Sequence, residues 1–301
     1  MNTLAFALAL VTISQVEAPD PADFVAGPVE LVTEGYQFTE GPVWIPDEQR
    51  LLFSDIPADT IFDHTGEVFR EPSNNANGLI LDTEGRLIAC EHGARRVTRT
   101  EPDGSITVLA DNYEGRRLNS PNDAIVRSDG AIFFTDPPYG VSEADRELDF
   151  SGVYVIRPDG ELVLLADDFD RPNGLALSRD ERTLYVADTR EHLIRAYDVA
   201  EDGSLSNARL FTEIPNPDGM DVDAAGRVWT AGSDGIQVND PDGTVLFVLE
   251  VPQHPANCAF GGEDGKTLYI TARSALYSVP VHIRGVRFPL PEEEIAVDAA
   301  E

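Results

Sequence analysis

The chain has 301 residues, a length that suits one large domain or two ordinary ones. It carries 54 Asp and Glu residues against 22 Lys and Arg, which gives a formal net charge of −32. Such a surface repels nucleic acid and anionic lipid, so neither nucleic acid nor a membrane is an expected partner. We interpret the acidity as a means of staying soluble; the alternative is that part of its field attracts a cation.

Residues 1–18 predict a secretory signal peptide. An apolar stretch from Leu4 to Ile13 precedes a small-residue cleavage site at Val16-Glu17-Ala18. The stretch is too short to span a bilayer, although the positively charged residues that usually precede it are missing. We therefore expect a periplasmic or secreted protein; the alternative is a disordered or misassigned start and a cytoplasmic protein. Residues 19–27, rich in Pro, Ala and Asp, predict a linker.

From residue 28 to residue 290 the chain repeats one pattern six times. Each repeat opens with a polar residue before small or apolar residues, and a later apolar strand ends in a small or acidic residue. The six openings are Glu40, Asn77, Asn122, Asn173, Asp218 and Asn257, and the six strand ends are Asp55, Glu91, Asp136, Asp188, Gly232 and Ala272. The openings are 37, 45, 51, 45 and 39 residues apart, a period typical of blade-by-blade architectures. The predicted fold class is therefore all-β, and the architecture is a single six-bladed β-propeller.

Turn sequences and the ends of the repeat region refine this prediction. We expect hairpin tips at Pro102-Asp-Gly104, Pro158-Asp-Gly160, Asp202-Gly203 and Pro241-Asp-Gly243. A strand from Pro28 to Val32 would complete the last blade beside the segment from Ala275 to Val286, which would hide the edge strands. Residues 291–301 predict an acidic tail. Cys90 and Cys258 predict small core residues rather than a disulfide.

The six opening residues should face one another, because equivalent positions in a ring surround its axis. Their side chains all carry oxygen and include no sulfur or imidazole, a set that suits a hard cation such as Ca²⁺ better than a soft metal. The alternative is that they only form turns, since Asn-Gly and Asp-Gly are common turn sequences. That alternative explains three of the openings, but it does not explain Glu40, Asn122 or Asn257. We therefore predict a metal site at the channel mouth, to which not every blade need contribute.

Several runs resemble a known family. They are Thr39-Glu-Gly-Pro-Val-Trp44, Asn119-Ser-Pro-Asn-Asp123 with Phe134-Thr-Asp-Pro-Pro-Tyr-Gly140, Arg171-Pro-Asn-Gly-Leu175 and Asn216-Pro-Asp-Gly-Met-Asp221. These runs resemble the SMP-30/gluconolactonase/LRE family from about Gly35 to Ala272. The resemblance implies a six-bladed propeller that binds Ca²⁺ at the channel mouth, with Mg²⁺, Mn²⁺ or Zn²⁺ as other divalent candidates, and that hydrolyses a lactone, commonly a sugar lactone. The implied metal ligands are Glu40, Asn122, Asn173 and Asp218.

Lactone hydrolysis needs a polarised carbonyl, an activated water and release of the ring oxygen. A bound metal can polarise the carbonyl as a Lewis acid, and a carboxylate beside it can take the proton from water. Asp218 is the catalytic candidate because it has the shorter side chain of the two acidic ligands; the alternative is that it serves only as a ligand. The predicted substrate-binding residues are Asn77, His92, Asn119, Tyr139 and Asn257.

Alternative roles stay open for three of these residues: a surface position for His92, packing on a blade for Tyr139 and a loop cap for Asn119. The repeated strand-end acids Asp55, Asp136 and Asp188 predict a structural role in bonding backbone groups.

Competing functions also stay open at this level. The sequence lacks a Gly-x-Ser-x-Gly elbow, a His-Glu-x-x-His motif and a Walker loop, so serine-hydrolase, zincin and nucleotide chemistry have no support. The resembled family includes phosphotriesterase-like members with the same four ligands. A non-enzymatic propeller that binds proteins or glycans is a further alternative, although it gives no reason for two acids and two amides to converge. The oligomeric state is not predicted.

Overall fold

The computed structural model describes residues 19–286, which form six four-stranded sheets. Neighbouring strands in every sheet run antiparallel. In chain order the strands are β1 (Glu30–Glu34), β2 (Thr39–Ile45), β3 (Arg50–Asp55), β4 (Thr60–Asp63), β5 (Val68–Arg70), β6 (Ala76–Leu81), β7 (Leu87–Glu91), β8 (Arg96–Thr100), β9 (Ile106–Ala110), β10 (Asn112–Tyr113), β11 (Arg116–Arg117), β12 (Ala124–Val126), β13 (Ile132–Asp136), β14 (Ser151–Ile156), β15 (Leu162–Phe169), β16 (Pro172–Leu177), β17 (Thr183–Asp188), β18 (Leu193–Val199), β19 (Leu205–Glu213), β20 (Met220–Val222), β21 (Val228–Gly232), β22 (Gly235–Asn239), β23 (Val245–Leu249), β24 (Pro255–Gly261), β25 (Thr267–Ala272) and β26 (Ala275–Pro280). Single 3-10 turns lie at Pro21–Asp23, Pro46–Glu48 and Glu143–Asp145.

The sheets are the six blades of a propeller, which confirms the predicted fold. Blades 1 to 5 begin with the inner strands β2, β6, β12, β16 and β20, and blade 6 begins with β24. Each inner strand contacts the inner strands of both neighbouring blades, and the ring closes between β24 and β2. All four predicted Asp-Gly turns connect adjacent strands of one blade.

The ring closes as the sequence predicted, with the first strand completing the last blade. Strand β1 pairs with β26, so blade 6 has the order β1-β26-β25-β24. The predicted linker at residues 19–27 is not separate from the propeller, because Phe24 is buried against Phe247, with ring centroids 5.0 Å apart. Val25 adds a single bridge to Val281.

Apolar side chains between neighbouring blades form the core. Among residues 19–286 there are six such clusters, one for each pair of adjacent blades. Strand β3 shows why its sequence is continuously apolar: Leu51 and Phe53 pack toward blade 6, while Leu52 packs toward blade 2. Successive side chains of a strand point to opposite faces, so a strand between two neighbours buries both. Burial of each such side chain contributes about 1.5–3 kcal/mol. Cys90 and Cys258 are buried in two of these clusters as free thiols, as predicted.

The repeated strand-end acids hold the connectors that enter each blade. Asp55 accepts hydrogen bonds from the backbone amides of Gln37 and Phe38, at 2.9 and 3.0 Å. Asp188 accepts in the same way from residues 170 and 171, and Asp136 accepts from residue 119. These bonds agree with the predicted structural role and fix the backbone just before the inner strands of blades 1, 3 and 4.

The predicted signal peptide (residues 1–18) and acidic tail (residues 291–301) lie outside the described residues. Within residues 19–286, no helix has the length and apolar character needed to cross a membrane.

Candidate active site

In four of the six blades a β-bulge lies at the opening residue. The pairing of inner and second strands shifts register between Glu40 and Val43 in blade 1, and blades 2, 4 and 6 shift at the same place in the repeat. In blades 3 and 5 the regular inner strand begins two residues after Asn122 and Asp218, whose backbone amides bond to the second strand. A bulge bends its strand and redirects one side chain. The openings therefore enter the channel from six separate blades, four of them within the inner strand and two just before it.

The glycines after several openings serve close packing and not a turn. A Cβ added at Gly174 would lie 2.3 Å from the carbonyl oxygen of Asp218, and one at Gly219 would lie 1.9 Å from Cγ of Asn257. The amide of Gly78 donates to the carbonyl of Asn122 at 2.8 Å. These glycines lie where neighbouring inner strands meet, so the turn interpretation of Asn-Gly and Asp-Gly is wrong here.

Five of the six openings line a pocket of about 500 Å³ at one end of the channel. Its lining residues are Phe38, Glu40, Ile56, Asn77, His92, Asn122, Tyr139, Asn173, Thr189, Asp218, His254, Ala256 and Arg273. All four predicted metal ligands are present, together with three of the five predicted substrate-binding residues, Asn77, His92 and Tyr139.

The structure does not bring Asn119 or Asn257 into this lining. Asn119 is fully buried, and its side-chain amide donates to the backbone carbonyls of Asp136 and Phe150 at 3.0 and 2.9 Å. Asn119 therefore caps its loop, which was the alternative prediction. It does not line the pocket in which it was predicted to contact substrate. Asn257 lies deeper in the channel, where its amide nitrogen is 3.4 Å from a carboxylate oxygen of Asp123.

Three carboxylates near the channel axis hold their protons more tightly than usual. Burial raises the pKa of Asp218 to about 7, with a contribution from the charge of Asp123, while a hydrogen bond from Asn173 and the positive charge of Arg273 act in the opposite direction. Burial, followed by the charges of Asp218 and Asp123, raises the pKa of Glu40 well above its usual value. Burial also raises the pKa of Asp123 to about 7. Three buried acids thus crowd the pocket floor, where burial and neighbouring charges disfavour their ionisation.

Neutral polar groups surround these acids. The amide nitrogen of Asn77 lies 3.3 Å from Nε2 of His92, which is only 7% exposed. Burial lowers the pKa of His92 to about 4, so its imidazole is neutral at pH 7. The amide nitrogen of Asn173 donates to Oγ1 of Thr189 at 2.9 Å and to the hydroxyl of Tyr139 at 3.4 Å. Tyr139 reaches the pocket from the loop after β13.

Three lining residues that were not predicted, Ile56, Thr189 and Arg273, share a position in the repeat with the predicted His92. Each of the four follows directly after one of the six repeated strand ends. The repeat alone could have identified this position. Residue type could not, because the four side chains are apolar, aromatic, hydroxylic and cationic.

The donor set fits a hard divalent cation. Glu40 and Asp218 supply carboxylates, and Asn122 and Asn173 supply amide oxygens, from four different blades. Within residues 19–286 no three His, Cys, Asp or Glu residues cluster as a metal site, so a cation at this position would need the amide oxygens as well as the two carboxylates. An oxygen-only set with two negative charges suits Ca²⁺ or a similar ion and disfavours soft metals.

Comparisons with known proteins agree with this architecture. The chain is 34% identical to a gluconolactonase of Zymomonas mobilis, in an alignment that covers 82% of this chain and 80% of that protein. It is 31% identical to a pentonolactonase of Haloferax volcanii, with 80% and 83% covered. A solved gluconolactonase from Xanthomonas campestris superimposes with a TM-score of 0.79 at 38% identity, covering 84% of this chain and 89% of that one. The model of the SMP-30/Gluconolactonase/LRE-like region matches residues 38–274, which span all six blades and the pocket, so the chain belongs to this family.

Proposed function

We propose that this protein is a lactonase that opens sugar lactones in the channel-mouth pocket with the help of a divalent cation, Ca²⁺ being the first candidate. The relatives named gluconolactonase and pentonolactonase support the reaction. The observation that carries the cation proposal is the convergence of Glu40, Asn122, Asn173 and Asp218 on one pocket floor. Burial is the main reason why the pKa of each acid is raised, and a bound cation would offset the cost of ionising them.

Glu40, Asn122, Asn173 and Asp218 would hold the cation. When bound, the cation supplies Lewis-acid polarisation of the lactone carbonyl and stabilises the oxyanion that develops there. Asn173 is already oriented for this role, because Thr189 and Tyr139 fix the plane of its amide.

Asp218 is the proposed general base. Its carboxylate lies on the pocket floor beside the groups that would hold the cation, where it can accept a proton from water. The water oxygen then forms the new bond to the carbonyl carbon, the bond from that carbon to the ring oxygen breaks, and the proton passes from Asp218 to the ring oxygen. The product is an open-chain aldonic acid, which ionises.

The remaining lining residues would orient the sugar. Asn77 and neutral His92 offer uncharged hydrogen-bonding groups, which suit ring hydroxyls. Phe38 and Ile56 form an apolar wall that limits the access of bulk water. Asn257 would not contact the sugar. Its side chain hydrogen-bonds the carboxylate of Glu40, so it would influence the reaction through Glu40.

The test is the initial rate of hydrolysis of D-glucono-1,5-lactone and a panel of pentono- and hexonolactones, after chelation and again with Ca²⁺ restored. Rescue by Ca²⁺ in the wild type but not in Asp218→Asn supports the proposal. The matched control is Glu84→Gln, an acid on an exposed turn. Cation binding without lactone turnover, or faster turnover of phosphotriesters, would refute the lactonase assignment while keeping the cation site.

A further inference from the structure

The pocket rim carries an arginine that is held in place by its backbone. Arg273 lies in the two-residue turn between β25 and β26, with φ near +49°. Its carbonyl accepts hydrogen bonds from the amide and the hydroxyl of Thr39, at 2.7 and 3.3 Å. The next residue, Ser274, donates its amide and hydroxyl to the side chain of Gln253. Hydrogen bonds therefore hold this turn to the connectors on both sides. The exposed guanidinium of Arg273 extends from a backbone whose position is fixed.

The guanidinium of Arg273 lies against an aromatic wall of the pocket. Its central carbon is 5.6 Å from the ring centroid of Phe38, which also lines the pocket. A second arginine repeats this arrangement: Arg171 lies 5.0 Å from the ring centroid of Tyr139. The backbone of Arg171 is also fixed, because its amide donates to Asp188 and its carbonyl accepts from Thr189. Two aromatic walls thus each carry a guanidinium.

Neither of these arginines has a carboxylate partner within 4 Å among residues 19–286, although the chain has 54 acids. Other arginines of this acidic protein form ion pairs with carboxylates: Arg195 pairs with Asp168 and Glu191, and Arg209 pairs with Asp198. Stacking on an aromatic face stabilises a guanidinium without using its N–H groups. The donors of Arg171 and Arg273 are therefore available to a ligand.

We infer that Arg273, assisted by Arg171, forms an anion-binding subsite, so that the pocket prefers sugar lactones with an anionic group at the end of the molecule away from the carbonyl. This inference rests on the proposed lactonase function. The carbonyl end belongs near Asp218 at the pocket floor, and Arg273 is the one cationic side chain among the described lining residues. A phosphate, sulfonate or carboxylate matches the planar fork of a guanidinium. A strongly acidic protein would otherwise repel such a substrate.

The experiment compares two substrates with the same ring: neutral D-glucono-1,5-lactone and its 6-phosphorylated form, both at saturating Ca²⁺. For the wild type, kcat/KM should be higher for the phosphorylated lactone. Arg273→Gln should lower the ratio of the two kcat/KM values by about tenfold to a hundredfold, as expected for one lost charge-assisted hydrogen bond, and mainly through KM for the phosphorylated substrate. Arg171→Gln should lower the ratio by a smaller factor.

Two further variants separate charge from packing. Arg273→Lys keeps the positive charge and loses the planar stack on Phe38. Its kcat/KM should therefore still be higher for the phosphorylated lactone, but by a smaller factor than in the wild type. Arg209→Gln, on the outer strand β19, removes a paired and exposed arginine and should leave the ratio unchanged. A wild type that opens the neutral lactone without preferring the phosphorylated one would overturn the inference and leave the lactonase proposal standing. Equal losses on both substrates in Arg273→Gln would also overturn it. A wild type that opens neither substrate would refute both proposals.

Discussion

The amide nitrogen of Asn77 lies 3.3 Å from Nε2 of His92, and both side chains are more than nine-tenths buried in the wall of the pocket. Because burial keeps His92 neutral, Nε2 accepts this hydrogen bond and the ring proton lies on Nδ1. Blade 2 thus adds an uncharged pair to a pocket whose floor is acidic. The neutral state of His92 should be measurable as a loss of stability in acid.

His92 should make the protein less stable in acid. Its pKa is about 4 in the folded protein, below the ordinary value of 6.5. As the pH falls below 6.5, the unfolded chain takes up a proton that the folded chain refuses until about pH 4. The stability contributed by this group is therefore present above pH 6.5 and is lost between pH 6.5 and 4, with a total of about 3 kcal/mol.

Urea denaturation of the wild type and of His92→Asn from pH 4 to pH 8 measures this difference. The two free energies of unfolding should converge by about 3 kcal/mol as the pH falls. His282→Asn, at an exposed position outside the pocket, serves as the control. A constant difference between the wild type and His92→Asn across this range would contradict the buried neutral state of His92.

Glu40→Gln should have opposite effects on stability with and without the cation. In chelator, the substitution removes one of two acids whose charges repel, so the midpoint of thermal unfolding should rise above that of the wild type. With Ca²⁺ at about a hundredfold over its Kd, the wild type should gain about 2.7 kcal/mol, and the variant should gain less because a ligand is lost.

Differential scanning fluorimetry with chelator and with Ca²⁺ measures both effects without relying on turnover. Glu84→Gln, whose acid is exposed on a hairpin, is the matched control and should follow the wild type in both conditions. Identical gains from Ca²⁺ in the wild type and in Glu40→Gln would exclude Glu40 as a ligand.

Cation affinity should fall in acid, because binding must displace a proton. The pKa of Asp218 is raised to about 7 without a cation, and the pKa of Glu40 is also raised well above its usual value. Below pH 7 the apparent Kd for Ca²⁺ should therefore rise by about tenfold or more per pH unit. Titration calorimetry at pH 6, 7 and 8, in two buffers of different ionisation enthalpy, measures both the Kd and the protons released. A Kd that stays the same from pH 8 to pH 6 would show that neither acid binds the ion.

The sequence was sufficient to predict the ring and most of the residues at its mouth, because both follow from the repeat. Equivalent positions in six blades must face the axis, and five of the six openings do line the pocket. The choice of Glu40, Asn122, Asn173 and Asp218 among them came from the family resemblance. Closure by the first strand also follows from chain order, since β24 to β26 leave their blade one strand short.

The remaining lining residues could not be found from residue type. Asn119 and Asn122 are equally polar and only three residues apart, yet the chain turns one side chain into the loop and the other to the axis. Tyr139 enters from a loop whose path depends on tertiary packing. Arg273 and Thr189 follow strand ends, where the repeat marks the position but leaves the chemistry free to vary.

Gly174→Ala tests the closest packing between inner strands and, with it, the interpretation of Asn173-Gly174. A glycine needed only for a turn would cost about 1 kcal/mol when replaced by alanine. At Gly174 the new methyl group would lie 2.3 Å from the carbonyl oxygen of Asp218 and 2.6 Å from Cα of Gly219, and backbone atoms of a neighbouring blade cannot move aside easily. We therefore expect Gly174→Ala to lower the free energy of unfolding by more than 3 kcal/mol, and to reduce Ca²⁺ affinity because Asp218 is displaced.

Gly85→Ala is the control, since Gly85 has a positive φ in a hairpin with open space around it and this variant should lose only about 1 kcal/mol. Equal losses in the two variants, measured by urea denaturation, would restore the turn interpretation and remove the packing argument for how blades 4 and 5 position the site.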